Sequence, residues 1–180
     1  MKKIAGMLIL SSLCLSQVWA QANDNDSAAQ VHIFGTLKTG NETSCAVGVS
    51  QSAINFTNTV DDLADQNKVN SGGIMLMLTV SNTDYCRYQV ENNHILFKFT
   101  GEKDNASGTV LANSSTSEGA AKGVGVATYS NAGVPVSINT GTLPAVLPFT
   151  KFKLAMVKLN AQDVVPGDYQ GTMTIEIQRL

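Results

Sequence analysis

Charged side chains are scarce in this 180-residue chain. Asp, Glu, Lys and Arg make up 14% of it, against about 25% of an ordinary soluble domain. Basic residues number 12 and acidic residues 14, so no basic excess exists to hold a polyanion, and nucleic acid is excluded as a partner. Histidine occurs twice and cysteine three times, which leaves little for a metal centre. There is no CxxC pair and no GxSxG, and Gly123-Val124-Gly125 is too short for a phosphate-cradling loop and lacks the lysine that would follow one. What is abundant is apolar material, 43% of the chain. That is too much for a disordered polymer and enough for a core.

The apolar material begins early. Met1-Lys2-Lys3 is a short basic start, residues 4–15 are an apolar run, and Val18-Trp19-Ala20 places small residues before a cut at Gln21. This is the pattern of a secretory signal peptide over residues 1–20, too short and wrongly flanked for a membrane span. The longest apolar run after it, residues 74–78, has five residues, against about 20 needed to cross a bilayer as a helix, so no membrane span is expected. Without the leader, ten basic residues face fourteen acidic ones, a balance of −4. Cys14 leaves with the leader, and Leu13 before it is too large for a lipoprotein cleavage site. Cys45 and Cys86 remain, an even pair in an oxidising compartment, and a disulfide is the natural reading. The alternatives, a redox pair or metal ligation, find no CxxC and no histidine near either cysteine in sequence.

The rest reads as strands. Residues 31–37 alternate with period two; residues 74–80 are apolar on both faces, the pattern of a central strand packed on two sides. Further runs lie at 53–56, 95–99, 109–111, 124–129, 134–138, 149–159 (with a slip expected near Ala155) and 169–177. Asn, Gly, Ser and Asp clusters separate them, and only residues 59–68 have room for a helical turn or two. Many short strands at this spacing predict an all-β sandwich. No repeat or composition shift marks a second folded domain.

Catalytic candidates are few and each has a plainer explanation. A Ser-His-Asp set needs its members together; His32 lies within an alternating strand and His94 at a strand start, where both read as polar strand-face residues. Asp61, Asp62 and Asp65 offer paired carboxylates, but without the glycine and closing glutamate of a calcium loop they read as a solvated turn. Met75 and Met77 share a strand face and raise the thought of copper(I); with no histidine beside them, core packing is the expectation. Asn41, Asn55, Asn105 and Asn113 each begin an N-x-Ser/Thr triplet, a pattern that arises readily by chance in a chain rich in these residues. No enzyme activity and no cofactor is expected.

The two ends of the mature chain carry more information. A polar lead, residues 21–30, precedes Val31-x-Ile33-x-Gly35-x-Leu37; Cys45 follows in Ser44-Cys45-Ala46-Val47; Cys86 comes just after Leu76-x-Leu78-x-Val80; and Gly167-Asp168-Tyr169 opens a final alternating strand. This plan resembles the chaperone–usher fimbrial subunits, the type 1 and P pilin family of Gram-negative bacteria, over essentially all of residues 21–180. The resemblance departs from the family at the penultimate position, usually aromatic, where Arg179 stands before Leu180.

The resemblance implies an incomplete immunoglobulin-like sandwich, the pilin fold, lacking its last strand. It implies a signal peptide at 1–20, an N-terminal extension carrying the donor strand at 21–38, and a pilin domain at 39–180. The final strand, with Gly167, Tyr169, Met173, Ile175 and Ile177, is then an edge beside an apolar groove and the place where a chaperone makes contact. Val31, Ile33, Gly35 and Leu37 are the donor-strand positions that would fill the groove of the next subunit. The partners implied are a periplasmic chaperone, an outer-membrane usher and neighbouring fimbrial subunits. The function implied is a structural subunit of a cell-surface fimbria, reached through the periplasm, that polymerises by donor-strand exchange and contributes to cell adhesion. The alternative, a receptor- or carbohydrate-binding adhesin, usually carries an extra N-terminal domain, for which about 160 mature residues leave no room.

Overall fold

The computed structural model describes residues 44–180, and these form an all-β sandwich. Nine strands and one α-helix follow in order: β1 Val47–Val49, β2 Ala64–Asp65, β3 Ile74–Val80, α1 Asp84–Glu91, β4 Ile95–Gly101, β5 Val124–Ser130, β6 Pro135–Val136, β7 Thr142–Pro144, β8 Thr150–Lys158 and β9 Met173–Arg179. One sheet runs β1-β3-β8-β5-β6, with β2 pairing parallel to the end of β8; the other runs β7-β4-β9.

Alternation decides which face of each strand is buried. Leu76 and Leu78 of β3, Phe152 and Leu154 of β8 and Val126 of β5 face Ile95, Phe97 and Phe99 of β4 across the sandwich. The Phe99 and Phe152 rings bridge the two sheets with centroids 5.2 Å apart. A second cluster, Ala127, Tyr129, Ala155, Val157 and Leu159 under Val110, covers the outer face at one end of the first sheet. This explains why β8 looks slipped near Ala155 in sequence. Its pairing with β5 is continuous, from Val124 opposite Lys158 to Ser130 opposite Phe152, and the change along the strand is in what covers its outer face.

That cover does not reach β3. Met75 and Met77 stand opposite Lys153 and Lys151 on the outer face and are 44% and 40% exposed. The expectation that β3 is packed on both sides, and that these methionines are core residues, is therefore overturned: β3 is central in its sheet, but one of its faces is open. Residues 109–111 make no strand either; Leu111 forms only isolated bridges, to Lys103 and Val126. Residues 53–56 likewise leave the sheet, although Ile54 and Phe56 still rest on the core. Helix α1 was not expected. The region read as helical, 59–68, holds the short 3-10 turn Val60–Asp62 followed by strand β2; Asp61 and Asp62 are exposed and Thr59 donates a hydrogen bond to Asp62 (2.6 Å).

Candidate strand-accepting edge

The final strand is shorter at its start and longer at its end than the sequence pattern implied. β9 begins at Met173, and Gly167 and Tyr169 lie outside it, because residues 165–170 are engaged elsewhere. Asp168 bridges Ala120, the Asp168 N–H donates to Gly119 O (2.8 Å), and Gln170 N–H donates to Asn113 Oδ1 (2.9 Å). Gly167 runs so close to this neighbour that a Cβ on it would strike the Gly119 carbonyl oxygen and the Ala121 nitrogen; only glycine fits. The Tyr169 hydroxyl lies within hydrogen-bond reach of the Leu111 and Ala112 carbonyls. Burial pushes its pKa well up, so it remains a protonated donor.

From Met173 onward the strand pairs with β4 in an unbroken antiparallel ladder, Met173 opposite Gly101, Ile175 opposite Phe99, Ile177 opposite Phe97 and Arg179 opposite Ile95. Gly101 suits this ladder, since a Cβ there would meet the Thr172 carbonyl oxygen at 2.9 Å as well as the end of the Leu111 side chain. The side chains of Met173, Ile175 and Ile177 point inward and pack against the main core, yet remain only half-buried, whereas Ile95, Phe97 and Phe99 beside them are fully buried. The difference has a plain cause. Among the described residues β4 has a strand on each side, and β9 has β4 alone.

The opposite bank is made by β1 and the residues after it. β1 pairs with β3, Val47 opposite Val80 and Val49 opposite Leu78, and its other edge is open among the described residues. Cα atoms of β1 and β9 approach within 8 Å, but no backbone hydrogen bond between the described residues joins them. Cys45, Val47, Ile54 and Phe56 line this bank as half-buried apolar groups against the same core. A cavity of about 410 Å³ opens between residues 55–58 and the start of β3, with Leu63 and Met156 also at its wall. Two edges that pair with no second strand among the described residues, flanked by half-buried apolar side chains, are what a strand would need to add to a sheet.

The P pilus rod subunit PapA has a similar fold. Its crystal structure matches with a TM-score of 0.53 at 13% sequence identity, over 83% of this chain and 99% of PapA. At that identity the likeness establishes a shared pilin-like fold. No protein-family model matches the sequence, and no curated protein sequence matches it.

The cysteines expected to pair do so. Cys45 and Cys86 form a disulfide across a separation of 41 residues, with Cα atoms 5.7 Å apart. Cys86 lies in the first turn of α1, whose cap is Thr83, its hydroxyl accepting from Cys86 N–H at 3.1 Å. Val31, Ile33, Gly35 and Leu37, and His32 with them, lie outside the described residues. His94 is exposed just before β4, with Nδ1 3.2 Å from Gln89 Oε1. Asn113, noted in sequence only for its triplet, is structural: its amide donates to Ala121 O and Asp168 O (2.9 and 2.8 Å) and so holds the approach to β9 in place.

One contact at the edge was missed in sequence. Arg179 Nη1 donates to the Tyr85 hydroxyl at 3.1 Å, and its guanidinium carbon lies 5.4 Å from the centre of that ring. The signal available was small: an arginine at the penultimate position and a Tyr-Cys pair directly after a capping threonine.

Proposed function

We propose that this chain is a structural subunit of a surface fimbria that polymerises by donating a strand to its neighbour. The observation that carries the reading is the contrast along one sheet: Met173, Ile175 and Ile177 half-buried on an edge strand, beside Ile95, Phe97 and Phe99 fully buried. The fold shared with a pilus rod subunit supports it.

The donor is the N-terminal extension, residues 21–38. Val31, Ile33 and Leu37 enter the open side of the next copy's sandwich, and Gly35 passes where the backbone must come close. Burial of three such side chains is worth about 5–8 kcal/mol before the cost of ordering, and ladder bonds to β9 add to it. The polar lead at 21–30 keeps the free extension soluble. Before assembly a periplasmic chaperone supplies the strand in trans, and an outer-membrane usher passes the subunit to the cell surface, where the polymer contributes to adhesion. The disulfide suits transit through an oxidising periplasm.

The test is expression of mature 21–180 in a periplasm with and without a co-expressed fimbrial chaperone. Stable subunit with the chaperone, and degradation or aggregation without it, is the expected result. Abundant soluble monomer in both cases, with its extension demonstrably free, overturns the reading.

A further inference from the structure

Two consecutive residues of α1 hold the two banks of the open side. Cys86 is bonded to Cys45, two residues before β1. Tyr85 receives the hydrogen bond and the guanidinium of Arg179, the last residue of β9. The surrounding backbone reinforces both ties. Ser81 N–H donates to Ala46 O at 2.9 Å and Ala46 N–H to Ser81 Oγ at 3.1 Å, which fixes the base of β1. Leu180 N–H donates to His94 O at 3.1 Å, which fixes the end of β9 beside β4.

We propose that α1 is a bracket that sets the spacing between β1 and β9, with Tyr85 and Arg179 as positioning residues for the incoming strand. This rests on the strand-accepting reading. An added strand must lie about 4.8 Å from β9 to make ladder bonds, and β1, whose Cα atoms come within 8 Å of β9, bounds the space open to it. An eight-residue helix has little stability of its own. α1 is held by the burial of Cys86 and Val90, and it passes that fixed position to both edges. Arg179 is exposed, so it can be changed without disturbing the core.

The probe is a labelled synthetic peptide of residues 27–40, with which the oxidised mature chain is refolded; release is then timed against excess unlabelled peptide. Arg179→Ala and Tyr85→Ala are each expected to release the peptide about two- to fivefold faster than wild type, the range of an exposed cation–ring contact. The double variant is expected to release no faster than the faster of the two single ones, since both remove the Tyr85–Arg179 contact. Arg179→Lys and Tyr85→Phe are expected to fall between. Arg87→Ala, on the same helix but paired to Asp84 at 2.7 Å, is expected to match wild type. If wild type captures peptide and the two alanine variants release it at the wild-type rate, the bracket is overturned and strand acceptance stands. If wild type captures no peptide, strand acceptance fails and the bracket with it.

Discussion

The Tyr169 hydroxyl sits 2.9 Å from the Leu111 carbonyl oxygen and 3.0 Å from that of Ala112. The contact joins the chain just before β9 to a segment 58 residues earlier. Leu111 in turn exchanges backbone hydrogen bonds with Val126 of β5, so the tyrosine ties the approach to the edge strand to the centre of the opposite sheet. Tyr169→Phe keeps the ring and removes the only side-chain donor. The expected cost is about 1 kcal/mol, seen as a fall of about 3–5 °C in the melting temperature of the strand-complemented chain. No fall would mean that the ring alone positions β9.

Asp104 is buried, and its carboxylate accepts four backbone N–H groups: Ala106 and Ser107 at 2.8 and 2.9 Å on Oδ1, Thr109 and Val110 at 2.8 and 3.0 Å on Oδ2. Burial alone would raise its pKa, but hydrogen bonding from the Val110 backbone, the Gln66 side chain and the Gly108 and Ala106 backbone outweighs it and holds the group below the ordinary carboxylate value of 3.8. The native state therefore binds this proton less readily than the unfolded chain. Its contribution is present above about pH 4 and is lost as pH falls below that, through the lowered native pKa. Asp104→Asn turns an amide NH₂ toward donors and is expected to cost about 1–3 kcal/mol at pH 7. In urea titrations at pH 7 and pH 3, the gap between wild type and variant is expected to narrow at the lower pH. An equal gap at both would show that the carboxylate charge is not what holds the loop.

Loss of the disulfide should be severe. Cys45 and Cys86 close a loop with a sequence separation of 41, for which loop entropy gives about 4 kcal/mol. Set against a total domain stability of about 5–15 kcal/mol, Cys45→Ser is expected to reduce periplasmic yield sharply, measured by quantitative blotting. Wild-type yield from the variant would count against a structural role for the bond.

These elements were not equally legible in the sequence. β4, β5 and β8 announced themselves because an inward apolar face is written as alternation or as a continuous apolar run. The disulfide was legible because only two cysteines, Cys45 and Cys86, follow the segment that reads as a leader. Met75 and Met77 misled because apolarity on a strand's second face does not say whether anything covers it; here the cover stops at Ala155 and Val157. α1 went unread because its eight residues, Asp84–Glu91, are mostly polar and bury only Cys86 and Val90. The sequence pattern starts β9 four residues early because Tyr169 continues the alternation, while its hydrogen-bond partners, Leu111 and Ala112, lie far off in sequence. The contrast in burial between β9 and β4 is a tertiary property with no local signature.

The sharpest prediction concerns Gly35. If residues 31–37 form the donor strand, pocket filling on one face sets the register. Val31, Ile33, Gly35 and Leu37 point into the neighbouring copy, while His32, Phe34 and Thr36 point away. A slip of one residue would expose the whole apolar set. A bulky side chain at position 35 should therefore block insertion, at a cost of about 1–3 kcal/mol of overpacking. In a stepwise exchange of strands, that cost slows the reaction as well as weakening the product. Among the described residues the core is formed by β3, β4, β5 and β8, and on the donor-strand reading folding and capture by a chaperone should be unaffected. Gly35→Leu is expected to leave the amount of subunit–chaperone complex unchanged and to abolish polymer formation. Thr36→Val, on the outward face, is expected to polymerise normally. The measurement is the distribution of oligomers by size-exclusion chromatography at matched complex levels. Should Gly35→Leu polymerise as wild type does, either the register is different or residues 31–37 are not the donor, and strand exchange through this extension loses its mechanical basis.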